Sequence, residues 1–498
     1  MPQLEEPTPA VLGDMSPEDF RRHGHEIIDW ISDYLAHTER YPVLPPTQPG
    51  DVRAALPPTA PAHGEDFAAI FSDVKDIIAP SLTHWNHPSF FAYFAITASA
   101  PGIFGELLCA AFNVNQMLWR TAPAATELEG VALDWLRQML GLPDTFDGLI
   151  YDTASVSTLH AIAAARENLN LDIRERGMTG RSDSLPQLRV YTSEQAHSSV
   201  EKALILLGLG QHALRKIPTD EAFRMDAAEL ERAIIEDTNA GALPFCVVAT
   251  VGTTSTTSID PVPAIADVCE RHNLWLHVDA AYAGSAAVIP EMQSILDGCA
   301  RADSLVTNPH KWLFTPFDCS ILYTRRMDVL RQAFSLIPEY LKTDDTQRVM
   351  NGMDYGVQLG RRFRSLKLWM VMRYFGQEGL AARLRDHNRL GQLFTSWIKD
   401  APDWELLAPV PFSTICFRFT PRQHDADDDI ATAHLDSLNE QLMHAVNSTG
   451  AMFISHTRLH DRFALRLTIG HIRTTETHIE QAWQLLRDHA AHLNQADM

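Results

Sequence analysis

Three short runs limit what this chain can fold into: Phe245-Cys-Val-Val-Ala-Thr250, Leu274-Trp-Leu-His-Val278 and Ser304-Leu-Val-Thr-Asn308. Each is rich in β-branched or bulky apolar residues and reads as a strand. Their ends at 250, 278 and 308 lie 28 and 30 residues apart, which is room for a strand, a helix and a returning strand. The interval predicts an α/β fold with a mostly parallel central sheet flanked by helices. In such sheets ligands sit beyond the carboxyl ends of the strands.

A chain of 498 residues is too long for one ordinary core. Residues 1–99 read as an N-terminal helical arm, 100–375 as a large α/β domain, and 376–498 as a small C-terminal α+β domain. The arm opens with Ser16 as cap, Pro17 at the first helical position and acidic Glu18 and Asp19 at the positive helix end. Phe20, Ile27, Ile28, Ile31, Tyr34 and Leu35 then fall largely on one side of a helix expected to end near Thr38. A second helix is expected from Phe67 to Ile78, stopped by Pro80. Such an arm cannot bury its own apolar stripe, so it should pack on the main body or on a second chain. In the last third the pattern predicts a helix over Gly379–Ile398, strands near Thr414–Phe419, Ala451–Ser455 and Phe463–Leu467, and a final helix from Glu476.

Lys and Arg number 41 against 63 Asp and Glu, a formal charge of -22, which argues against nucleic acid and against an anionic membrane as partner. The opening Met-Pro-Gln-Leu-Glu-Glu has no basic region followed by an apolar core, and no apolar run is long enough to span a bilayer. The six cysteines are scattered, without a Cys-x-x-Cys pair, so neither a zinc site nor a disulfide framework is expected. Reduced thiols in a cytoplasmic protein with no metal are the expectation.

The chemistry lies at the strand ends. Asp279 directly follows one predicted strand, and Lys311 comes three residues after another, within Asn308-Pro309-His310-Lys311-Trp312. A single lysine after a strand is usually solvated surface. A carboxylate and an amine at one sheet edge, however, are what pyridoxal phosphate needs: the amine forms an imine with the aldehyde, and the carboxylate pairs with the protonated pyridine nitrogen. A phosphate seat fits Tyr151-Asp152-Thr153-Ala154-Ser155-Val156-Ser157-Thr158, where small hydroxyl residues open an Ala-rich helix and offer free N–H groups. That signal alone is weak, because Ser and Thr cap most helices without binding anything.

Longer motifs agree. Thr83-His84-Trp85, Phe90-Phe91-Ala92-Tyr93-Phe94, Thr126-Glu127-Leu128-Glu129, Gln195-Ala196-His197-Ser198-Ser199-Val200-Glu201, His277 to Ser285, Asn308 to Leu313, and Leu359 to Lys367 run in order along nearly the whole chain. With them the chain resembles the group II pyridoxal-phosphate decarboxylases, and among those it is similar to the aromatic-L-amino-acid decarboxylases. The resemblance implies a fold type I enzyme that decarboxylates an L-amino acid as a homodimer with shared active sites. It implies that Lys311 carries the cofactor, Asp279 holds the pyridine nitrogen, Ala281 lies against the ring and His197 stacks on the opposite face. Thr153, Ala154 and Ser155 would hold the phosphate with Asn308 and His310, and Thr254 would lie near the cofactor's hydroxyl or His197. Tyr340, in Ser335-Leu-Ile-Pro-Glu-Tyr-Leu-Lys342, matches the family's catalytic-loop tyrosine, which protonates the α-carbon. Aldehyde-forming relatives differ at this tyrosine or at the stacking histidine, and both decarboxylase-type residues are present here.

The implied substrate wall is Trp85, Tyr93 and Phe94, joined by Ile96 and by Asn115 and Met117 from the second subunit. Ile96 stands where animal members carry a threonine close to the substrate's ring hydroxyls, and it cannot hydrogen-bond. Asn115 and Met117 replace Ile and Phe. Tyrosine, tryptophan, phenylalanine and apolar aliphatic amino acids stay open as substrates, with aldehyde synthesis on the same scaffold as the rival activity.

Overall fold

In a computed structural model the described residues are 13–181, 183–336, 349–421 and 429–496. The chain divides into two compact units, Met1–His87 and Pro88–Met498.

In the first unit the helix Pro17–Ala36 begins as its sequence requires, with the Ser16 hydroxyl accepting the Asp19 N–H at 3.0 Å. It ends at Ala36 rather than Thr38, because His37 leaves helical geometry (φ -134°) and a 3₁₀ turn, Thr38–Arg40, follows. Trp30 stacks on Tyr34 at 5.5 Å and meets Phe71 edge-on at 6.0 Å, while the Tyr34 hydroxyl bonds His84 Nδ1 at 2.9 Å. The second helix is shorter than expected: Phe67–Asp73 gives way to a π-turn, Val74–Ile78, and a 3₁₀ turn, Ala79–Ser81. Phe20 and Ile28 remain exposed, so the arm's apolar stripe is only partly covered.

The second unit contains two sheets. The large one comprises β1 (Asp147–Tyr151), β2 (Leu188–Ser193), β3 (Leu214–Ile217), β4 (Leu243–Thr250), β5 (Trp275–Asp279), β6 (Ser304–Thr307) and β7 (Ser320–Thr324), in the order β1-β7-β6-β5-β4-β2-β3. The strands from β6 to β3 pair in parallel, and β7 runs antiparallel to both its neighbours. Strands β4, β5 and β6 are the three runs read from the sequence. Side chains alternate across a strand, and on β4 Val247 and Ala249 enter one apolar cluster while Cys246 and Val248 enter another. Burial on both faces explains why this strand reads as an unbroken apolar run.

The small sheet is antiparallel, ordered β10 (Ser455–Leu459), β11 (Arg462–Thr468), β9 (Thr414–Phe419), β8 (Trp404–Leu406). Strand β10 starts where the sequence pattern placed a strand's end. Asn447 accounts for the shift: its side chain accepts from Ile454 N and donates to Ile454 O, both at 3.0 Å, so that the backbone of Ile454 is satisfied outside the sheet. The helix Ser365–Asp400 is broken at Gly376 (φ 62°, ψ 174°). The six cysteines are buried and unpaired. Among the described residues no helix is long and apolar enough to cross a membrane.

Candidate active site

The carboxyl edge of the large sheet gathers the sequence-predicted groups. Asp279 is the last residue of β5, in register with Thr250 on β4 and Val306 on β6. The peptide that follows is tied across strands: Ala281 N donates to Asp279 Oδ1 at 3.1 Å, and Ala281 O accepts from Asn308 N at 3.0 Å. Asn308 also starts the short helix Pro309–Trp312, which carries Lys311. One hydrogen bond thus couples the exit of β5, with its carboxylate, to the exit of β6, with its amine.

Lys311 keeps part of its surface accessible, with Nζ 5.3 Å from the centroid of the Phe94 ring. Burial pushes its pKa below the ordinary lysine value; the Asp279 carboxylate opposes this and the Arg466 cation reinforces it. An amine that sheds its proton more readily is a better nucleophile toward a carbonyl carbon.

His197 follows β2 and presents an exposed ring. Ser199 N donates to its Nδ1 at 3.1 Å, so the neutral imidazole carries its proton on Nε2. Burial of the surrounding region holds its pKa below the usual histidine value, against the pull of Asp279 and with the push of Lys311. A flat, uncharged ring is the result. His310 behaves alike: Cys319 N donates to Nδ1 at 2.8 Å, and burial pushes the pKa down to about 3. It can therefore offer an Nε2–H to an anion without adding charge.

The anion seat is the start of the helix Ala154–Glu167, where the Thr153 cap makes no side-chain hydrogen bond to the helix. Its first N–H groups and positive dipole end are left to an outside acceptor. Ser155 is exposed, and Thr153 and Ala154 are partly so. Nearby on the same sheet edge, Asn308 Oδ1, Thr250 Oγ1 and Thr307 Oγ1 are buried without a partner. Buried polar atoms of this kind normally find one. Amine, carboxylate, anion seat and unfilled polar atoms together fit a phosphorylated pyridine aldehyde. Thr254 lies exposed in the loop after β4. That loop leaves through Gly252 (φ +90°), where a Cβ would come 2.5 Å from the Ala283 Cβ.

An aromatic wall stands beside the amine. Phe94 stacks on Tyr282 at 3.8 Å, and Tyr282 stacks on Trp312 at 4.6 Å. Tyr93 is exposed and Ile96 is half-buried in the same segment. Asn115 and Met117 are not joined to this cluster; Arg361 N donates to Asn115 Oδ1 at 3.0 Å and Met353 N to Met117 O at 3.1 Å. Trp85 belongs to the first unit, and Tyr340 lies outside the described residues. Among the described residues no group of three or more His, Cys, Asp or Glu could hold a metal ion. Arg466, whose Cζ lies 4.8 Å from the Phe94 ring centroid, is a further residue of the site that was not named from the sequence. The available signal was a cation at an alternating position inside an otherwise apolar strand.

Residues 49–420 match the family model described as pyridoxal-dependent decarboxylase conserved domain. The chain is 38% identical over 500 residues to a phenylacetaldehyde synthase of Arabidopsis thaliana, covering 98% of this chain and 99% of that protein. It is 39% identical over 489 residues to tryptophan decarboxylase 2 of Oryza sativa subsp. japonica, covering 96% of each. A crystal structure of Oryza sativa TDC with PLP and tryptamine superposes with a TM-score of 0.92 at 37% identity, covering 97% of this chain and 100% of that one.

Proposed function

This chain belongs to the pyridoxal-dependent decarboxylase family, and from that premise we propose that it removes the α-carboxylate of an aromatic L-amino acid, releasing carbon dioxide and the amine. Pyridoxal phosphate, when bound, supplies an aldehyde that captures the substrate amine and a protonated ring that accepts electrons from the breaking bond. The other tasks fall to side chains. Lys311 would hold the cofactor through its amine. Asp279 would pair with the protonated pyridine nitrogen, Ala281 would leave room for the ring, and neutral His197 would pack against it. Thr153, Ala154 and Ser155 would seat the phosphate with Asn308 and His310, and Thr254 would serve the ring hydroxyl or His197. Tyr93, Phe94 and Ile96 would enclose the side chain, joined by Asn115 and Met117 of the partner subunit. That wall would orient the substrate so that the bond to its α-carboxylate is the one placed to break. Tyr340 returns a proton to the α-carbon.

The observation that carries this reading is the Asn308 N to Ala281 O bond, at 3.0 Å, which sets carboxylate and amine at neighbouring strand ends. The stacked Phe94 beside Lys311 favours a flat side chain. A second activity, formation of the aldehyde with oxygen consumed, is favoured by the match to a protein named phenylacetaldehyde synthase. Incubating the enzyme with each of the twenty amino acids, and measuring carbon dioxide, amine, aldehyde and peroxide separately, decides between them. Amine from an aromatic substrate is expected; aldehyde with peroxide would move the assignment to the rival, and activity confined to aliphatic amino acids would remove the aromatic one. Tyr340→Phe should slow amine formation by about 10²–10⁴-fold.

We assign a homodimer, because the helix Ala100–Phe112 leaves Phe104, Leu107, Leu108 and Phe112 exposed and the helix Pro123–Met139 leaves Val131 and Trp135 exposed. The unpaired thiols suit a cytoplasmic setting.

A further inference from the structure

Arg466 is costly to keep, and none of the roles above explains it. It sits on β11, whose Phe463, Leu465 and Leu467 enter the core of the small sheet, so its side chain leaves from the opposite face. There the residue is only 4% exposed. Among the described residues no carboxylate pairs with it, and its Nη2 is buried without a hydrogen-bond partner. An uncompensated buried cation is strongly disfavoured. Because Nη2 is closed off, it is not placed to grip a substrate in the cleft.

The remaining donors reach two loops of the site. Nη1 donates to Tyr93 O at 2.6 Å, and Nε donates to Ser255 O at 2.9 Å. Tyr93 has φ 53°, a conformation that side-chain-bearing residues rarely adopt. Its carbonyl is held by Arg466, and its N–H donates to Ser455 Oγ at 3.4 Å. Ser255 follows Thr254 and is held a second time by its own hydroxyl, 2.8 Å from Thr457 Oγ1. Between these two anchors the guanidinium lies 4.8 Å from the centre of the Phe94 ring. Every contact made by this fork thus falls on the wall beside Lys311 or on the loop after β4.

We propose that Arg466 is the positioning residue of the aromatic wall: by bridging the carbonyls of Tyr93 and Ser255 and lying on Phe94, it fixes the ring against which the substrate side chain packs. This rests on the aromatic reading above. A planar fork spreads its donors over separate nitrogens at set angles and can span two carbonyls, whereas an ammonium gathers its three donors on one atom and does not reproduce that span.

The test uses the holoenzyme and the methyl esters of L-tryptophan and L-alanine. Both carry the amine but no free carboxylate to lose, so binding is read from the visible absorption of the bound cofactor, apart from turnover. In Arg466→Met the tryptophan ester should bind on the order of tenfold more weakly while the alanine ester changes by less than about twofold. Arg466→Lys keeps the charge and should show the same selective loss; with the best wild-type substrate it should raise KM by a larger factor than it lowers kcat. Equal weakening of both esters, no weakening, or full recovery in Arg466→Lys would overturn the proposal. Should the Met variant not fold, the Lys variant decides alone. If wild-type enzyme binds the tryptophan ester no more tightly than the alanine ester, the aromatic reading itself fails, whatever the variants do.

Discussion

Gly252→Ala should damage the cofactor site through the backbone, without removing any functional group. Two costs add. The native φ of +90° is one that an alanine adopts at about 1–2 kcal/mol. The new Cβ would then lie 2.5 Å from the Ala283 Cβ and 3.2 Å from Ala283 N, against an optimum of about 3.5–4.0 Å between carbons. Both neighbours are buried, so relief requires the exits of β4 and β5 to part, at the roughly 1–3 kcal/mol typical of overpacking. The sum is about 2–5 kcal/mol of stability. The strain also bears on the carbonyl of Asp279, which accepts from Val251 N at 2.9 Å. Cofactor affinity should therefore fall by about tenfold for each 1.4 kcal/mol that reaches Asp279. The assay is chemical denaturation of the holoenzyme together with titration of apoenzyme by pyridoxal phosphate, read by absorption. Adding Ala283→Gly removes the overlap but not the φ penalty, so the double variant should regain about 1–3 kcal/mol. A Gly252→Ala enzyme with unchanged denaturation midpoint and cofactor affinity, or a double variant that regains nothing, would refute the reasoning.

Lys311→Ala should abolish borohydride-stable attachment of the cofactor at that peptide and eliminate turnover; mass spectrometry of the reduced, digested protein checks it. Stability should fall as pH drops from about 6.5 toward 3, because His387, 6.5 in ordinary surroundings and pushed down to about 3 by burial, stays neutral when folded and takes up a proton when unfolded. His387→Gln should reduce that slope by about 1.4 kcal/mol per pH unit in the same window, measured by urea denaturation at a series of pH values. Leu107→Glu puts a charge on the exposed apolar face of the helix Ala100–Phe112 and should shift light-scattering mass from dimer to monomer, with loss of activity if the sites are shared.

Legibility in the sequence followed the range of the forces involved. Strands β4, β5 and β6 were readable because burial on both faces leaves a local signature, an apolar run with polar residues at its ends. Strands β2, β3 and β7 were not singled out: β3 is four residues long with Arg215 and Lys216 at its middle, and β7 runs antiparallel to β6 inside a sheet whose pattern pointed to parallel returns. The start of β10 was displaced because Asn447, seven residues away, satisfies the backbone of Ile454.

In the candidate site, Asp279 and Lys311 could be named because each sits within a few residues of a strand end legible in the sequence; the opening of the helix Ala154–Glu167 was marked by its small hydroxyl residues, and His197 by the motif that resembles the family. Local order along the chain determined these groups and the edge they share. The neutral tautomers of His197 and His310 came only with the folded backbone that donates to Nδ1 of each ring. Arg466 came only with the tertiary structure, for its partner Tyr93 lies 373 residues away in the chain. A strand's alternation says only that the cation leaves the face opposite Phe463, Leu465 and Leu467; the tertiary packing alone decides that this face is covered and which carbonyls the cation meets, because that contact is made by chain closure and leaves no trace in the residues on either side.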